Sequence, residues 1–138
     1  MIDYNRVTPE DITRLRSNEV FLFWTNLAGK HSSISAVLAQ LRFKAKYGKG
    51  FGPTGKCWAI PTVDEDMRAK LPLDRIAHFV DMFTAEAKAN PGKVYLVSEF
   101  RGGIGQWTAR DIAPLFKEAA SLPNVKVPLN MWQLLDEA

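Results

Sequence analysis

The chain has 138 residues, of which 46% are hydrophobic and 24% are charged, and its formal net charge is +3. This length and composition fit one globular domain with a sizeable core and exclude a low-complexity or disordered protein. Because no stretch reaches the roughly 18 apolar residues that cross a bilayer and the N-terminus lacks the apolar core of a signal peptide, we expect a cytoplasmic protein with no membrane partner.

The first predicted elements are a short helix and a buried strand. Thr8, Pro9 and Asp11 supply an N-cap, a first-turn proline and an acid three residues after the cap, which predicts a helix that ends near residue 17. Residues 20–24 form a continuous apolar run with β-branched and aromatic side chains, typical of a strand buried on both faces. A polar loop at residues 25–31 follows this strand.

The next predicted elements are a helix, a loop and a second buried strand. The helix is predicted over residues 33–47, because the apolar side chains Ile34, Val37, Leu38 and Leu41 recur at helical spacing, and Ser32 or Ser33 is expected to cap it. Four glycines and a proline make residues 47–55 a loop. The strand is predicted over residues 57–60, and Pro61 closes it. Its first residue, Cys57, is the only cysteine of the chain and is expected to be a small core residue.

The second half of the chain continues the alternation of helix and strand. The predicted elements are a helix at residues 73–89, a strand at 94–97, a glycine-rich turn at 101–105, a helix after residue 108, a strand at 125–127 and a final helix at 131–135. Thr108, with Asp111 three residues further on, is expected to cap the helix after the glycine-rich turn.

This alternation predicts an α/β fold for one domain over residues 1–138. We expect a three-layer sandwich, in which helices cover both faces of a mainly parallel sheet of at least four strands. Ligands of such sheets bind outside the carboxyl ends of the strands. The loops at residues 25–31 and 99–106 both leave such ends, so we expect them to face one crevice.

Candidate ligand-binding residues lie on these two loops. Glycines let backbone amides approach a ligand, and the helix starts beside them carry a partial positive charge that suits a phosphate. Trp107 borders the second loop, where its ring can stack on a base. The alternative for the glycines and for Asn26 is an ordinary turn. The predicted ligand-binding residues are Thr25, Asn26, Gly29, His31, Arg101, Gly103, Ile104, Gly105 and Trp107.

Other chemistry has weaker signals. The acidic run Asp64-Glu65-Asp66 is interpreted as a solvated loop, so no metal site and no cofactor are predicted. Six lysines and arginines, with no acidic residue among them, lie between residues 30 and 56. These side chains either create a positive field that favours a phosphate-bearing partner or belong to a solvated helix face. Nucleic acid is disfavoured, because no known binding motif accompanies them.

Several segments together resemble a family of small bacteriophage-associated proteins. They extend from about residue 8 to residue 128, in matching order and spacing, and include TPEDI (8–12), NEVFLF (18–23), NLAGKH (26–31), YGKG (47–50), GKCWAIPT (55–62), LPL (71–73) and IAPLF (112–116). That family is similar to macrodomains, which bind ADP-ribose, and in particular to the branch that removes ADP-ribose from acidic side chains. The resemblance implies a macrodomain-like domain with Gly103, Ile104 and Gly105 on the phosphate side and residues 26–31 as the facing wall.

The chain departs from this family where the family's chemistry resides. The Gly-Ala-Gly-Ala segment of the family is Ser32-Ser33-Ile34-Ser35 here, and the bulk of Ile34 crowds a phosphate. Val63 stands where that branch has its nucleophilic lysine, and Gln106 stands near its partner acid. Neither side chain can replace those groups. No catalytic residue is therefore predicted, and we expect a non-catalytic binder of a nucleotide or ADP-ribose-like ligand that counteracts defence in the host cytoplasm.

Two alternatives stay open. One is an ADP-ribosyl hydrolase that uses Asp64 or Glu99 in place of the lost groups. The other is an effector with a decayed pocket that binds and inhibits a host protein. The altered serine segment favours the effector, whereas the retained glycines of the second loop favour the nucleotide binder.

Overall fold

The computed structural model describes residues 2–30 and 33–137. Its strands are β1 (Glu19–Asn26), β2 (Gly52–Thr54), β3 (Cys57–Val63), β4 (Val94–Val97) and β5 (Val125–Lys126). Its α-helices are α1 (Ile34–Arg42), α2 (Leu73–Ala89), α3 (Ala109–Ile112), α4 (Lys117–Ala120) and α5 (Leu129–Glu137), and short 3₁₀ helices lie at Tyr4–Arg6 and Ala113–Phe116. Within these ranges, no helix is both long and apolar enough to cross a membrane.

The strands form one sheet in the order β2-β3-β1-β4-β5. The four predicted strands run parallel to one another, but β2 pairs with β3 in the antiparallel direction. The expectation of a mainly parallel sheet is thus corrected to a mixed sheet. Gly55 and Lys56 form a two-residue turn between β2 and β3, and Gly55 has a φ of +56°. This tight hairpin turns part of the predicted loop into an edge strand.

Helices cover both faces of the sheet, which explains the unbroken apolar run of β1. Leu22 and Trp24 lie in a large core cluster that includes side chains of α2, α3 and α5. Phe21 and Phe23 point to the other face, where they pack with Ala36 and other residues of α1. Because both faces of this central strand are buried, apolar side chains occupy successive positions from residue 20 to residue 24, and a periodicity of two is absent there.

Of the four apolar side chains whose spacing predicted α1, Leu38 packs against the core and the other three do not. Ala36 and Ala39 are fully buried against the sheet, whereas Ile34, Val37 and Leu41 are exposed. The helix is apolar on both faces, so spacing alone cannot choose between them, and the small alanines let the helix pack closely on the bulky β1 side chains. The helix also ends at Arg42 rather than at residue 47, since Lys44 adopts a positive φ of 65°.

Two further boundaries differ from the expectation. Residues 8–17 contain no helix: Val7 forms a parallel bridge with Val127, and the Thr8 amide donates to the Val127 carbonyl at 2.9 Å. Hydrogen bonds to the sheet edge therefore replace those of the predicted helix. Strand β3 continues through Pro61, which lies beyond the end of β2, where a sheet strand flanks β3 on one side only.

Candidate functional site

Strands β1 and β4 are neighbours whose connections leave on opposite faces of the sheet. The chain passes from β1 to α1 on one face, and from β4 to α3 and α4 on the other. Such a divergence opens a gap beyond the carboxyl ends of the two strands, where α/β proteins bind ligands. A crevice of about 1160 Å³ lies at this position.

Two serines shape the α1 side of the crevice. The Ser33 hydroxyl donates to the Trp24 carbonyl at 2.7 Å and accepts from the Ala36 amide at 3.1 Å, which makes Ser33 the N-cap of α1, as predicted. The Trp24 amide donates to Ser35 Oγ at 3.2 Å. These bonds hold the start of α1 against the end of β1, so the positive end of the helix lies at the crevice.

On the β4 side of the crevice, the indole of Trp24 links β1 to the residue that follows β4. Its Nε1 donates to the Ser98 carbonyl at 3.0 Å, directly after the end of β4. Ser98, Glu99 and Arg101 line the crevice beyond this bond. Arg101 Nη2 lies 3.0 Å from Glu99 Oε2, so its guanidinium is already paired with a carboxylate.

An N-terminal segment, residues 4–12, which we call the strap, closes the remaining side. The bridge between Val7 and Val127 holds it at the end of β5, and Ile12 packs against the core cluster of the α1 face. Tyr4 and residues 7–12 line the crevice. The start of α5, with Leu129 and Asn130, completes this wall.

The charge of the crevice is mixed. Its lining contains three carboxylates, from Glu10, Asp11 and Glu99, and one guanidinium, from Arg101. The starts of α1 and α5 add partial positive charge at two other places in the wall. The crevice therefore offers acceptors for hydroxyl and amino groups as well as helix ends for an anion.

Two hydroxyls of the lining are buried without a partner. Thr8 Oγ1 and Ser98 Oγ form no hydrogen bond within residues 2–30 and 33–137. A buried polar group without a partner costs free energy. Both oxygens are shielded from solvent, so a ligand group reaches either hydroxyl only if neighbouring side chains move.

Most of the predicted binding residues of the first loop do not line the crevice. Asn26 is 2% exposed, and its side-chain amide bonds the Lys30 carbonyl at 2.6 Å and the Lys30 amide at 3.0 Å, so it closes the loop on itself. Gly29 has a φ of +68°, and a Cβ there would lie 2.3 Å from the Lys49 amide nitrogen. Thr25 is buried, and its hydroxyl has no hydrogen-bond partner among the residues that the structure describes. His31 lies outside the described residues.

The second loop also points away from the crevice beyond Arg101, although Glu99 and Arg101 at its start line it. Ile104 is fully exposed, and a Cβ on Gly103 would meet nothing within 4 Å. The Gln106 amide donates to the Gly103 carbonyl at 3.1 Å, and Gly105 has a φ of +79°, which together describe a turn in solvent. Among the described residues of the predicted site, Arg101 is the one that lines the crevice.

The ring of Trp107 is occupied by its own chain. Its indole Nε1 donates to the Leu71 carbonyl at 2.7 Å, and Lys70 Nζ lies 3.8 Å from the ring centroid. These contacts hold the second loop on the segment between β3 and α2. The second helix whose start lies at the crevice is α5. The sequence predicted the helix that follows the glycine-rich turn instead.

Among the crevice residues that were not predicted, one had a signal in the sequence. Ser98 directly follows a predicted strand, which is where ligand contacts of parallel sheets lie. Glu10 and Asp11 carried no such signal, because the predicted helix at residues 8–17 placed them on a helix surface. Their position depends on the bridge of the strap to β5.

Two other chemistries have no support in the described residues. Burial raises the pKa of the Cys57 thiol to about 12, so the group stays protonated at neutral pH and is a poor nucleophile. No group of three or more His, Cys, Asp and Glu side chains within residues 2–30 and 33–137 is placed to hold a metal ion.

Comparisons of the chain with known protein families, with curated proteins and with solved structures find no match. The resemblance to the macrodomain-like phage proteins stays a prediction. The crevice itself carries the functional argument.

Proposed function

We propose that this protein binds a nucleotide or ADP-ribose-like ligand in the crevice between the ends of β1 and β4, and that it does so as a macrodomain-like protein without turning the ligand over. One observation carries the proposal: a crevice at the point where two parallel strands send their connections to opposite faces, with the start of α1 in its wall. Its volume of about 1160 Å³ accommodates a ligand of this size.

The distribution of charge supports a ligand with two chemically different ends. The start of an α-helix attracts a phosphate through its first amides. The Ala36 amide already donates to Ser33 Oγ, so we assign this role to the amides of Ile34 and Ser35. Glu10, Asp11 and Glu99 repel a phosphate, but they accept hydrogen bonds from ribose hydroxyls and from an exocyclic amine. We therefore expect the phosphate at the α1 end and the nucleoside near the carboxylates.

Binding without turnover follows from the side chains at the positions of the family's reactive groups. Val63 is buried in β3, and its backbone forms a bridge with Lys70. Gln106 belongs to the turn of the second loop, which does not line the crevice. The described lining contains no lysine, the nucleophile of that family branch, and its carboxylate Glu99 is paired with Arg101. Sequestration of a host signal is the role that the family resemblance implies.

The first test is a thermal-shift titration with ADP-ribose, NAD, ATP and cyclic nucleotides. A ligand that binds only the folded chain adds about 2.7 kcal/mol of stability at a hundredfold excess over its dissociation constant, and it raises the melting temperature. We expect this for at least one phosphate-bearing compound and not for adenosine. We also expect no release of ADP-ribose from modified glutamate. No shift with any of the compounds would contradict the proposal.

The second test places a charge at the start of α1. Ile34 is 75% exposed in the first turn, so Ile34→Asp suits the helix dipole and preserves the fold, while it repels a phosphate. We expect its dissociation constant for the ligand to exceed that of the neutral control Ile34→Asn by roughly tenfold or more, because unit charges near a protein surface interact by several kcal/mol at close range.

A third variant tests whether the ligand binds in the crevice or at the second loop. Gly103→Val places its side chain in open solvent, where a Cβ meets nothing within 4 Å. We expect it to bind like the parent chain. Loss of binding in Gly103→Val with retention in Ile34→Asp would move the site to the glycine-rich turn.

A further inference from the structure

The outward side of α1 carries an apolar surface with no partner in the described chain. Ile34, Val37 and Leu41 are 75%, 40% and 77% exposed, and their spacing places them on one side of the helix. We call these three residues the outer α1 face. The opposite side of the same helix is already buried on the sheet through Ala36 and Ala39. Core packing therefore does not explain the outer face, and such patches commonly mark interaction sites.

The chain segment that contains this face is basic, whereas Glu10 and Asp11 share the crevice lining with Ile34 at the start of the helix. No acidic residue occurs between Glu19 and Asp64, while six cations do: Lys30, Arg42, Lys44, Lys46, Lys49 and Lys56. All six are exposed, and none forms an ion pair in the part of the chain that the structure describes.

Backbone contacts bring the basic loop to the end of α1. The Ala45 amide donates to the Ala39 carbonyl at 3.1 Å, and the Lys56 amide donates to the Phe43 carbonyl at 2.9 Å. The Lys46 amide donates to Thr54 Oγ1 at 2.8 Å. The loop at residues 44–56 thus lies beside the C-terminal half of α1, and we call its exposed cations, Lys44, Lys46, Lys49 and Lys56, the basic rim.

We propose that the outer α1 face is a docking surface for an acidic, amphipathic helix of another protein. The spacing of Ile34, Val37 and Leu41 is that of a helix–helix seam, and an apolar stripe on the partner would cover it. Acidic side chains that flank this stripe would meet the unpaired cations of the rim. A second copy of this chain is the wrong occupant, because it would bring two basic rims together. Nucleic acid lacks an apolar counterpart for aliphatic side chains.

The proposal is tested with the full chain and labelled helical peptides, with fluorescence anisotropy as the readout. One peptide has leucines at helical spacing flanked by glutamates, a second has lysines in place of the glutamates, and a third is the scrambled glutamate peptide. We expect the glutamate peptide to bind at least about tenfold more tightly than the other two and to weaken as salt rises.

Two pairs of variants assign the binding to this surface. Val37→Ser/Leu41→Ser is expected to raise the dissociation constant of the glutamate peptide about tenfold, whereas Met82→Ser, at a 43% exposed position of α2 on the other side of the sheet, leaves it unchanged. Lys46→Gln/Lys49→Gln is expected to weaken binding and to flatten its salt dependence, and Lys93→Gln/Lys117→Gln provides the control with equal charge. Since Val37 and Leu41 do not line the crevice, nucleotide binding is expected to persist in their variants.

Two outcomes with the peptides would overturn the proposal: no binding of the glutamate peptide, or equal affinity of Val37→Ser/Leu41→Ser and Met82→Ser for it. Two outcomes with other occupants would also overturn it. One is tighter binding of phosphatidylglycerol vesicles or of a single-stranded oligonucleotide through the same residues, and the other is a dimer of the parent chain that Val37→Ser/Leu41→Ser abolishes. Melting temperatures of all variants are compared first, and the charge variants keep the test decisive if the serine variant does not fold.

Discussion

Arg6 joins the strap to the rest of the molecule. Its Nε and Nη2 donate to the Val125 carbonyl at 3.1 and 2.9 Å, and Nη2 also donates to the carbonyls of Ala120 and Leu122. Its guanidinium lies 5.4 Å from the centre of the Trp132 ring, whose Nε1 donates to the Arg6 carbonyl at 3.0 Å. One side chain thereby satisfies carbonyls at the end of α4 and holds one wall of the crevice.

We predict that Arg6→Ala lowers the free energy of unfolding by about 2–3 kcal/mol, because the carbonyls of Ala120 and Val125 lose the guanidinium donor. Arg6→Lys is expected to recover little of this, since an ammonium cannot reproduce the planar fork. Urea unfolding measures both, and Arg14→Ala, at an exposed position, is the control. If Arg6→Ala and Arg14→Ala unfold at the same urea concentration, Arg6 does not anchor the strap.

At the scale of the element, α3 depends on its first turn. The Thr108 amide donates to Asp111 Oδ2 at 2.9 Å, and the Asp111 amide donates to Thr108 Oγ1 at 3.4 Å, which is the predicted capping box. The hydrogen bonds from the amide and the hydroxyl of Thr108 lower the pKa of the Asp111 carboxyl. A helix of only four residues has few other bonds to stabilise it.

The lowered pKa of Asp111 predicts how acid affects the capping box. A carboxyl whose pKa is lower in the folded than in the unfolded chain contributes stability above its ordinary pKa, and this contribution is lost as the pH falls through the lowered pKa. We therefore expect the parent to be more stable than Asp111→Asn near neutral pH and this difference to shrink in acid. Chemical unfolding at a series of pH values measures it. Asp136→Asn, at an exposed position of α5, is the control. A constant difference between the parent and Asp111→Asn would contradict the role of the Asp111 charge.

At the scale of the whole molecule, β1 organises the fold. It pairs with β3 on one side and β4 on the other, and both of its faces are buried in core clusters. The two edge strands of the sheet are short: β2 has three residues and includes Pro53, and β5 has two residues. Short edge strands and an edge proline hinder pairing with other chains.

This arrangement predicts a gradient of hydrogen exchange across the sheet. Amides at residues 21–23 in β1 are expected to exchange only through global unfolding, whereas amides of β2 and of residues 47–50 exchange through local opening. Exchange measured by NMR under native conditions and in low denaturant distinguishes the two regimes. Equal protection of β1 and β2 would show that the hairpin is part of the global folding unit.

The sequence alone determined the elements whose signals are local. Helix α2 and strand β4 have the predicted bounds, Leu73–Ala89 and Val94–Val97, and Ser33 and Thr108 cap their helices as expected. Capping, helical periodicity and β-branched runs act within a few residues, so they can be detected without knowledge of the fold. The parallel direction of the four predicted strands follows from the alternation of strands and helices along the chain.

The tertiary structure alone decided the contents of the crevice and the orientation of α1. Thr8, Glu10 and Asp11 reach the crevice because Val7 pairs with a strand that lies 120 residues further along the chain. The choice of alanines for the buried side of α1 depends on the bulk of the β1 side chains beneath them. Both results depend on free-energy differences between contacts that are distant in sequence, and local patterns carry no information about such contacts.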